Sequence, residues 1–470
     1  MVELWVNAKT GDDQNPGTKE KPLATPNAAL SKVGGNNDLV HLEGTFYTGL
    51  RPKMTKYPGH VTFDGHDQTL LYGFEGPYQD FDPANPPART YKALSIMDVH
   101  NLTVRNLSVW GGNSQAVSLD DSYPSVGIRN IHLENIKVRY GASRGIFMGG
   151  NNIEGIYIDN CEVQETCYGD TTHNIYLSGG HWNPDYPPIR KVRIRNTMCK
   201  YTGGRHDIQL NGRFDDVVIT GNKLYHAELA GLSLIGCQNV LVAENEIYGN
   251  QRQGIVLYDY WDDHYFDITD PESVEKWKGC HHPNDRILIR NNTIFVGPTQ
   301  WHKDFYHNNK PYKHGCILVN NNINDLGIPY RQHQIGFLNN VLVSPWSPIL
   351  RFGGTLEAIA CYAHGNLMWT EDEWKAPCIE LPYGDGSYSI DWLQENAPKW
   401  YKDNVILDPQ FVQRPEYQFV DRTKTPHFNF GVDHQTKADL YSQPAAALKK
   451  GKTYNKNLMK ESNSNNFFKE

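Results

Sequence analysis

An asparagine set between two short β-like runs returns along the chain, and this return constrains the fold more than any other feature. The copies read Val104-Arg105-Asn106-Leu107, Leu133-Glu134-Asn135-Ile136, Ile158-Asp159-Asn160-Cys161 and Ile194-Arg195-Asn196-Thr197. They continue as Thr220-Gly221-Asn222-Lys223, Ala243-Glu244-Asn245-Glu246, Ile289-Arg290-Asn291-Asn292, Leu338-Asn339-Asn340-Val341 and His364-Gly365-Asn366-Leu367. Asn106 and Asn135 are 29 residues apart, and Asn222 and Asn245 are 23 apart. Between the copies stands a second motif, a strand with apolar residues two apart. It occurs as Ala116-Val117-Ser118-Leu119, Gly145-Ile146-Phe147-Met148, Asn174-Ile175-Tyr176-Leu177 and Asp207-Ile208-Gln209-Leu210. Later copies are Gly231-Leu232-Ser233-Leu234, Gly254-Ile255-Val256-Leu257 and Gly315-Cys316-Ile317-Leu318.

Three short strands and their turns in about 25 residues make one coil of a solenoid. The expected fold is therefore an all-β, single-stranded right-handed parallel β-helix, with the apolar side of each strand stacked inside and an asparagine ladder along one turn. A propeller blade needs about 40 residues or more, and a leucine-rich repeat needs its own leucine spacing. The composition agrees: 41 Gly and 27 Pro supply turns, and 12% aromatics suit strands.

The ends fit the same architecture. Thr25 is placed as N-cap with Pro26 at the first helical position, and Gly34-Gly35 ends a short helix over 26–33 that caps the first coil. The expected organisation is a cap with first coils over 1–99, the main β-helix over 100–370, and an irregular C-terminal region over 371–470, all one structural domain. Eight cysteines without a CxxC pair read as buried free thiols rather than a zinc site or a disulfide scaffold. The first residues, Met1-Val2-Glu3-Leu4-Trp5, have neither the basic start nor the apolar core of a signal peptide. The protein is then secreted or periplasmic if such a peptide was removed, and otherwise cytoplasmic. No apolar run approaches the ~18 residues of a membrane span, and a net charge of −8 argues against nucleic acid as partner.

The opening segment, the asparagine-bearing rungs and the ending Leu407-Asp408-Pro409-Gln410-Phe411 resemble right-handed parallel β-helix proteins of the pectate-lyase-like superfamily. The resemblance covers nearly the whole chain. It implies a carbohydrate-active enzyme, since members of that superfamily are mostly polysaccharide lyases, glycoside hydrolases and uronate epimerases. The implied partner is a polysaccharide or oligosaccharide.

Stacked rungs lie about 4.8 Å apart, so the six from Ile146 to Ile317 would span roughly 24 Å, the length of several sugar units. Loops over 120–126, 179–188, 259–282 and 299–313 leave the second motif on one side. They carry Trp182, Tyr260, Trp261 and Trp301, flat rings able to stack on sugars as well as to pack the loops down. Just before the inward Ile or Leu of successive rungs come Arg144, His173, Arg205-His206, Arg252 and Lys313-His314, a basic column in an acidic protein.

A basic column suits β-elimination at a uronate. A cation neutralises the carboxylate, a base removes the acidified proton, and an acid protonates the leaving oxygen. His206 or His173 is the candidate base, Arg205 and Arg252 the carboxylate clamp, and Tyr176 or Tyr258 the acid. Asp207 is placed to orient a histidine. Arg144, Tyr176, Gln209, Asn211, Lys313 and His314 complete the substrate-binding set. The alternative is a glycoside hydrolase, which needs two carboxylates about 5 to 10 Å apart. Asp207 with Asp259, or the neighbours Asp120 and Asp121, are its candidates. The loop with Asp259, Asp262 and Asp263 is a candidate calcium site without EF-hand spacing. His264, His281 and His282 read as solvated loop residues, so no metal ligand is assigned. A third reading is a glycan-binding β-helix without catalysis. Large loops on one side of a basic column favour an enzyme with a groove.

Overall fold

The computed structural model describes residues 1–75, 92–122, 126–164, 166, 173–179, 187–202, 204–250, 252–259, 269–280, 284–296, 315–321, 333–344, 348–352, 361–370, 378–380 and 387–407. The chain divides into two compact units, Met1–Gly180 with Asp185–Ile208, and His181–Pro184 with Gln209–Glu470. Each is built from short parallel strands coiled into rungs. Parallel connections within a sheet take the right-handed sense, so the fold is a right-handed parallel β-helix.

In the N-terminal unit three parallel sheets run along the coil. The first contains Gln115–Asp120, Arg144–Gly150 and His173–Gly179, in the register Gln115↔Arg144↔His173 and Ser118↔Phe147↔Tyr176. The second passes through Ile128–Arg139, Ile153–Asp159 and Ile189–Arg195, and the third through Glu162–Gln164 and Met198–Lys200. Alternate side chains point inward and meet the equivalent residue of the next rung. Val117, Ile146 and Ile175 make one such stack, and Val104, Leu133, Ile158 and Ile194 another; none has exposed surface. At about 25 cal/mol per Å² of apolar surface removed from water, these stacks are the main stabilising term.

Between the second and third sheets the chain turns through the left-handed region at Asn106 (φ 55°), Asn135 (φ 51°), Asn160 (φ 54°) and Asn196 (φ 50°). Asparagine tolerates that region better than other residues with a side chain, which explains its return. On the outer side of the second sheet, charges pair from rung to rung. Arg105 Nε donates to Asp64 at 2.7 Å, and Arg195 grips Asp159 with Nε at 2.5 Å and Nη2 at 2.7 Å.

The C-terminal unit repeats the pattern. Leu232, Ile255, Ile317, Leu350 and Ile379 are in register on one sheet, and Leu224, Ile247, Ile294, Leu342 and Met368 on another. Here the asparagine ladder forms, on the repeat asparagines Asn222, Asn245, Asn340 and Asn366 as expected, and on Asn292 rather than its neighbour Asn291. The left-handed turn falls on Gly221, Glu244, Asn291, Asn339, Gly365 and Asp403. The residues that follow, Asn222, Asn245, Asn292, Asn340, Asn366 and Asn404, point inward and bond one another at 2.9 to 3.0 Å. In the N-terminal unit that inward position is Leu107, Ile136, Cys161 and Thr197, with no amide to share. The repeated asparagine thus serves two purposes, the left-handed turn at Asn106, Asn135, Asn160 and Asn196 and again at Asn291 and Asn339, and the buried ladder of the C-terminal unit.

The capping helix is Pro26–Leu30, shorter than expected, because Ser31 rather than Gly34-Gly35 closes it. Thr25 is its N-cap and accepts from the Ala28 N–H, and Pro26 and Ala29 are buried. Cys161, Cys199, Cys237, Cys316 and Cys361 are buried free thiols. Among the described residues no helix is long and apolar enough to cross a membrane.

Candidate functional site

The first sheet of the N-terminal unit gathers the chemistry. Its inward stack is Val117, Ile146 and Ile175, and its outward positions hold Arg144, Phe147, His173, Tyr176 and His206 on three consecutive rungs. Arg144 and His173 are directly paired across the ladder. The rings of His173 and His206 stack with centroids 5.5 Å apart and planes 18° from parallel. His173 also stacks on Tyr176 at 4.9 Å. The Arg144 guanidinium lies 4.8 Å from the Phe147 ring centre and 4.9 Å from that of Tyr176, so both rings share its charge.

Both histidines are 4% exposed, whereas Arg205 is exposed and Arg144 half-buried. Burial, and then the positive charges of His206, Arg144 and Arg205, hold the His173 ring well below the ordinary histidine value of 6.5. His173 is thereby kept neutral, the state a general base requires.

Asp207 stands elsewhere than expected. It has no exposed surface and points into the coil, where its Oδ1 accepts from the Asn174 side-chain amide at 2.8 Å. Burial pushes its carboxyl well above the usual carboxylate range. It neither orients a histidine from outside nor reaches a substrate, which removes the Asp207–Asp259 hydrolytic pair. The cause is a corner in the strand. After the outward His206, both Asp207 and Ile208 turn inward, as Asn174 and Ile175 do after His173.

Asp120 and Asp121 are separately engaged. Asp120 accepts from Lys92 Nζ at 2.5 Å and from the Ser118 hydroxyl, while Asp121 accepts from the Asn151 and Asn152 N–H groups at 3.0 and 2.8 Å. Sequence reasoning passed over Lys92, which lies where no repeat is visible, and Phe147, although it occupies the same strand position as Tyr176.

Four further candidates belong to the C-terminal unit. Gln209 is buried, Asn211 and Arg252 are half-buried, and Tyr258 packs against Ala230, Val256 and Leu318. Trp182, Tyr260, Trp261, Trp301, Lys313 and His314 lie outside the described residues, as does the side chain of Asp259. Among the described residues no group of three or more His, Cys, Asp or Glu side chains is arranged to hold a metal ion.

No protein-family model matches the chain. The uncharacterized protein YwoF of Bacillus subtilis (strain 168) is 25% identical over 328 residues, covering 54% of this chain and 69% of the relative. Among solved structures, the chain is similar to a GH136 lacto-N-biosidase from Eubacterium ramulus, with 12% identity, TM-score 0.41, and 86% of this chain and 68% of that one covered. It is also similar to a rhamnogalacturonan lyase, with 11% identity, TM-score 0.43, and coverage of 94% and 98%. A periplasmic alginate epimerase is similar at 13% identity and TM-score 0.42, with coverage of 70% and 76%. On its own strand pairings the chain is a right-handed parallel β-helix protein.

Proposed function

We propose that the protein is a carbohydrate-active enzyme that cleaves a uronate-containing polysaccharide by β-elimination. The observation that carries this reading is the stacked pair His173 and His206 on one outward sheet face, with Arg144 paired to His173 and Arg205 in the bend just before His206. The superfamily resemblance in the sequence supports a carbohydrate-active enzyme and does not select the reaction.

In this reading Arg144 and Arg205 meet the uronate carboxylate and stabilise the charge that develops as the adjacent C5 proton leaves. The His173–His206 pair supplies the base that takes that proton. The electron pair of the C5–H bond becomes the C4–C5 double bond, and the C4–O bond to the next sugar breaks. Tyr176, in contact with both Arg144 and His173, donates the proton to the departing oxygen. No water is consumed, and the new end is an unsaturated uronate. Phe147 and Tyr176 offer ring faces for the apolar sides of the sugars. The inward position of Asp207 weighs against the hydrolytic alternative.

The test is a panel of acidic and neutral polysaccharides, read for ultraviolet absorbance of an unsaturated product and for new reducing ends. Both signals rising together on a uronate polymer is the expected result, lost in His206→Ala and His173→Ala. Reducing ends without absorbance make the protein a hydrolase. Silence in both across the panel overturns cleavage of these glycans and leaves an untested substrate or a binding protein.

A further inference from the structure

The inward side of the histidine-bearing strands holds a feature that elimination does not use. The residues that follow the outward Gln115, Arg144, His173 and His206 are Ala116, Gly145, Asn174 and Asp207. The first two are apolar, and the last two form a polar pair with no exposed surface. Asn174 Nδ2 donates to Asp207 Oδ1 at 2.8 Å and to the Lys200 carbonyl at 3.2 Å, and Asn174 Oδ1 is bonded to the Thr166 hydroxyl. Asp207 Oδ2 has no hydrogen-bond partner among the described residues. On the rung before, Gly145 leaves room for this group, since a Cβ there would meet the Asn174 carbonyl at 2.7 Å and Thr166 Cγ2 at 2.9 Å.

Burying polar groups with incomplete bonding is unfavourable compared with the apolar stacks on either side. Stability alone therefore does not account for a polar pair on the two rungs that carry the stacked rings.

We propose that Asp207, bonded to Asn174 inside the coil, is a positioning residue that sets the separation of His173 and His206 outside it. His173 and Asn174 are consecutive, as are His206 and Asp207, so a bond on the inner side holds the backbone from which both rings project. A carboxyl this buried, with no ion pair among the described residues, holds its proton, and its acceptor oxygen is what Asn174 uses. Asparagine keeps that oxygen; alanine removes it. The proposal rests on the elimination reading for its activity readout alone.

Asp207→Asn and Asp207→Ala in the full chain test it. Asp207→Asn is expected to keep kcat and KM. Asp207→Ala is expected to lower kcat about tenfold or more with KM little changed, as for displaced catalytic groups. NMR resonances of the two histidine rings move in Asp207→Ala and stay in place in Asp207→Asn. Melting temperature gives an independent reading of the proton. A carboxyl whose folded-state value is raised stabilises the fold at acid pH and loses that contribution as pH rises. Asp207→Asn should therefore melt close to the parent at acid pH and increasingly above it toward neutrality. Wild-type kcat with unmoved rings in Asp207→Ala overturns the proposal, and so does Asp207→Asn being as impaired as Asp207→Ala. Should Asp207→Ala not fold, Asp207→Ser takes its place. If the parent protein eliminates no uronate polymer, the functional reading fails separately, and the ring resonances alone decide this one.

Discussion

The side-chain carbonyl of Asn340 accepts two hydrogen bonds from Asn292, one from its backbone N–H and one from its side-chain amide, both at 3.0 Å. Asn292 Oδ1 is used in the same way by Asn245, at 3.0 Å from the backbone and 2.9 Å from the amide. Each ladder carbonyl thus joins two rungs twice, inside the coil and away from water.

Removing one step leaves buried groups without partners on both sides. Asn292→Ala should destabilise the protein by about 3 kcal/mol, from two or more stranded groups at about 1–3 kcal/mol each. Denaturant unfolding measures it, and a loss below about 0.5 kcal/mol would mean the ladder is not the staple described.

Gly145→Ala should be costly without touching the outward face. The added methyl would lie 2.4 Å from Val163 Cγ1 as well as against Asn174 and Thr166. Overpacking of this kind costs about 1–3 kcal/mol. A variant as stable as the parent would show that the rung can widen.

Arg144→Lys should raise KM on a uronate polymer about tenfold while leaving the fold intact. Lysine keeps the charge but loses the planar fork and the placement over Phe147 and Tyr176. That is the scale of one charge-assisted hydrogen bond, about 1.5 kcal/mol. An unchanged KM would take Arg144 out of substrate binding.

Acid should act on His173. Its folded-state value lies well below 6.5, chiefly through burial, with His206, Arg144 and Arg205 adding repulsion. A depressed value means stability that is present above the unfolded value and lost as pH falls, at up to about 1.4 kcal/mol per pH unit. His173→Gln should flatten the melting temperature between neutrality and mild acid. An equally steep variant would place the acid sensitivity elsewhere.

The described thiols should be inert. Burial pushes Cys161 up to about 12, and raises Cys199, Cys237, Cys316 and Cys361 as well. Alkylation followed by mass spectrometry should label these five only after unfolding, because the thiolate is the reactive form. Labelling of Cys161 in the native protein would show that its coil opens.

The sequence by itself determined the coil. A period near one rung, apolar residues two apart and left-handed turns at Asn106, Asn135, Asn160 and Asn196 are local requirements of backbone and burial, so they are written in the order of residues. It also marked Arg144, His173 and His206 as equivalent positions, because equivalence along a solenoid is a matter of counting. Direction and register were decided by tertiary structure. Two consecutive residues turn inward at the corner after His206, so Asp207 enters the core although alternation would leave it outside. The buried ladder uses Asn292 rather than its neighbour Asn291, because an amide is useful only where the next rung presents its partner. Both choices depend on neighbours 23 to 48 residues away, which bring together groups that no local pattern relates.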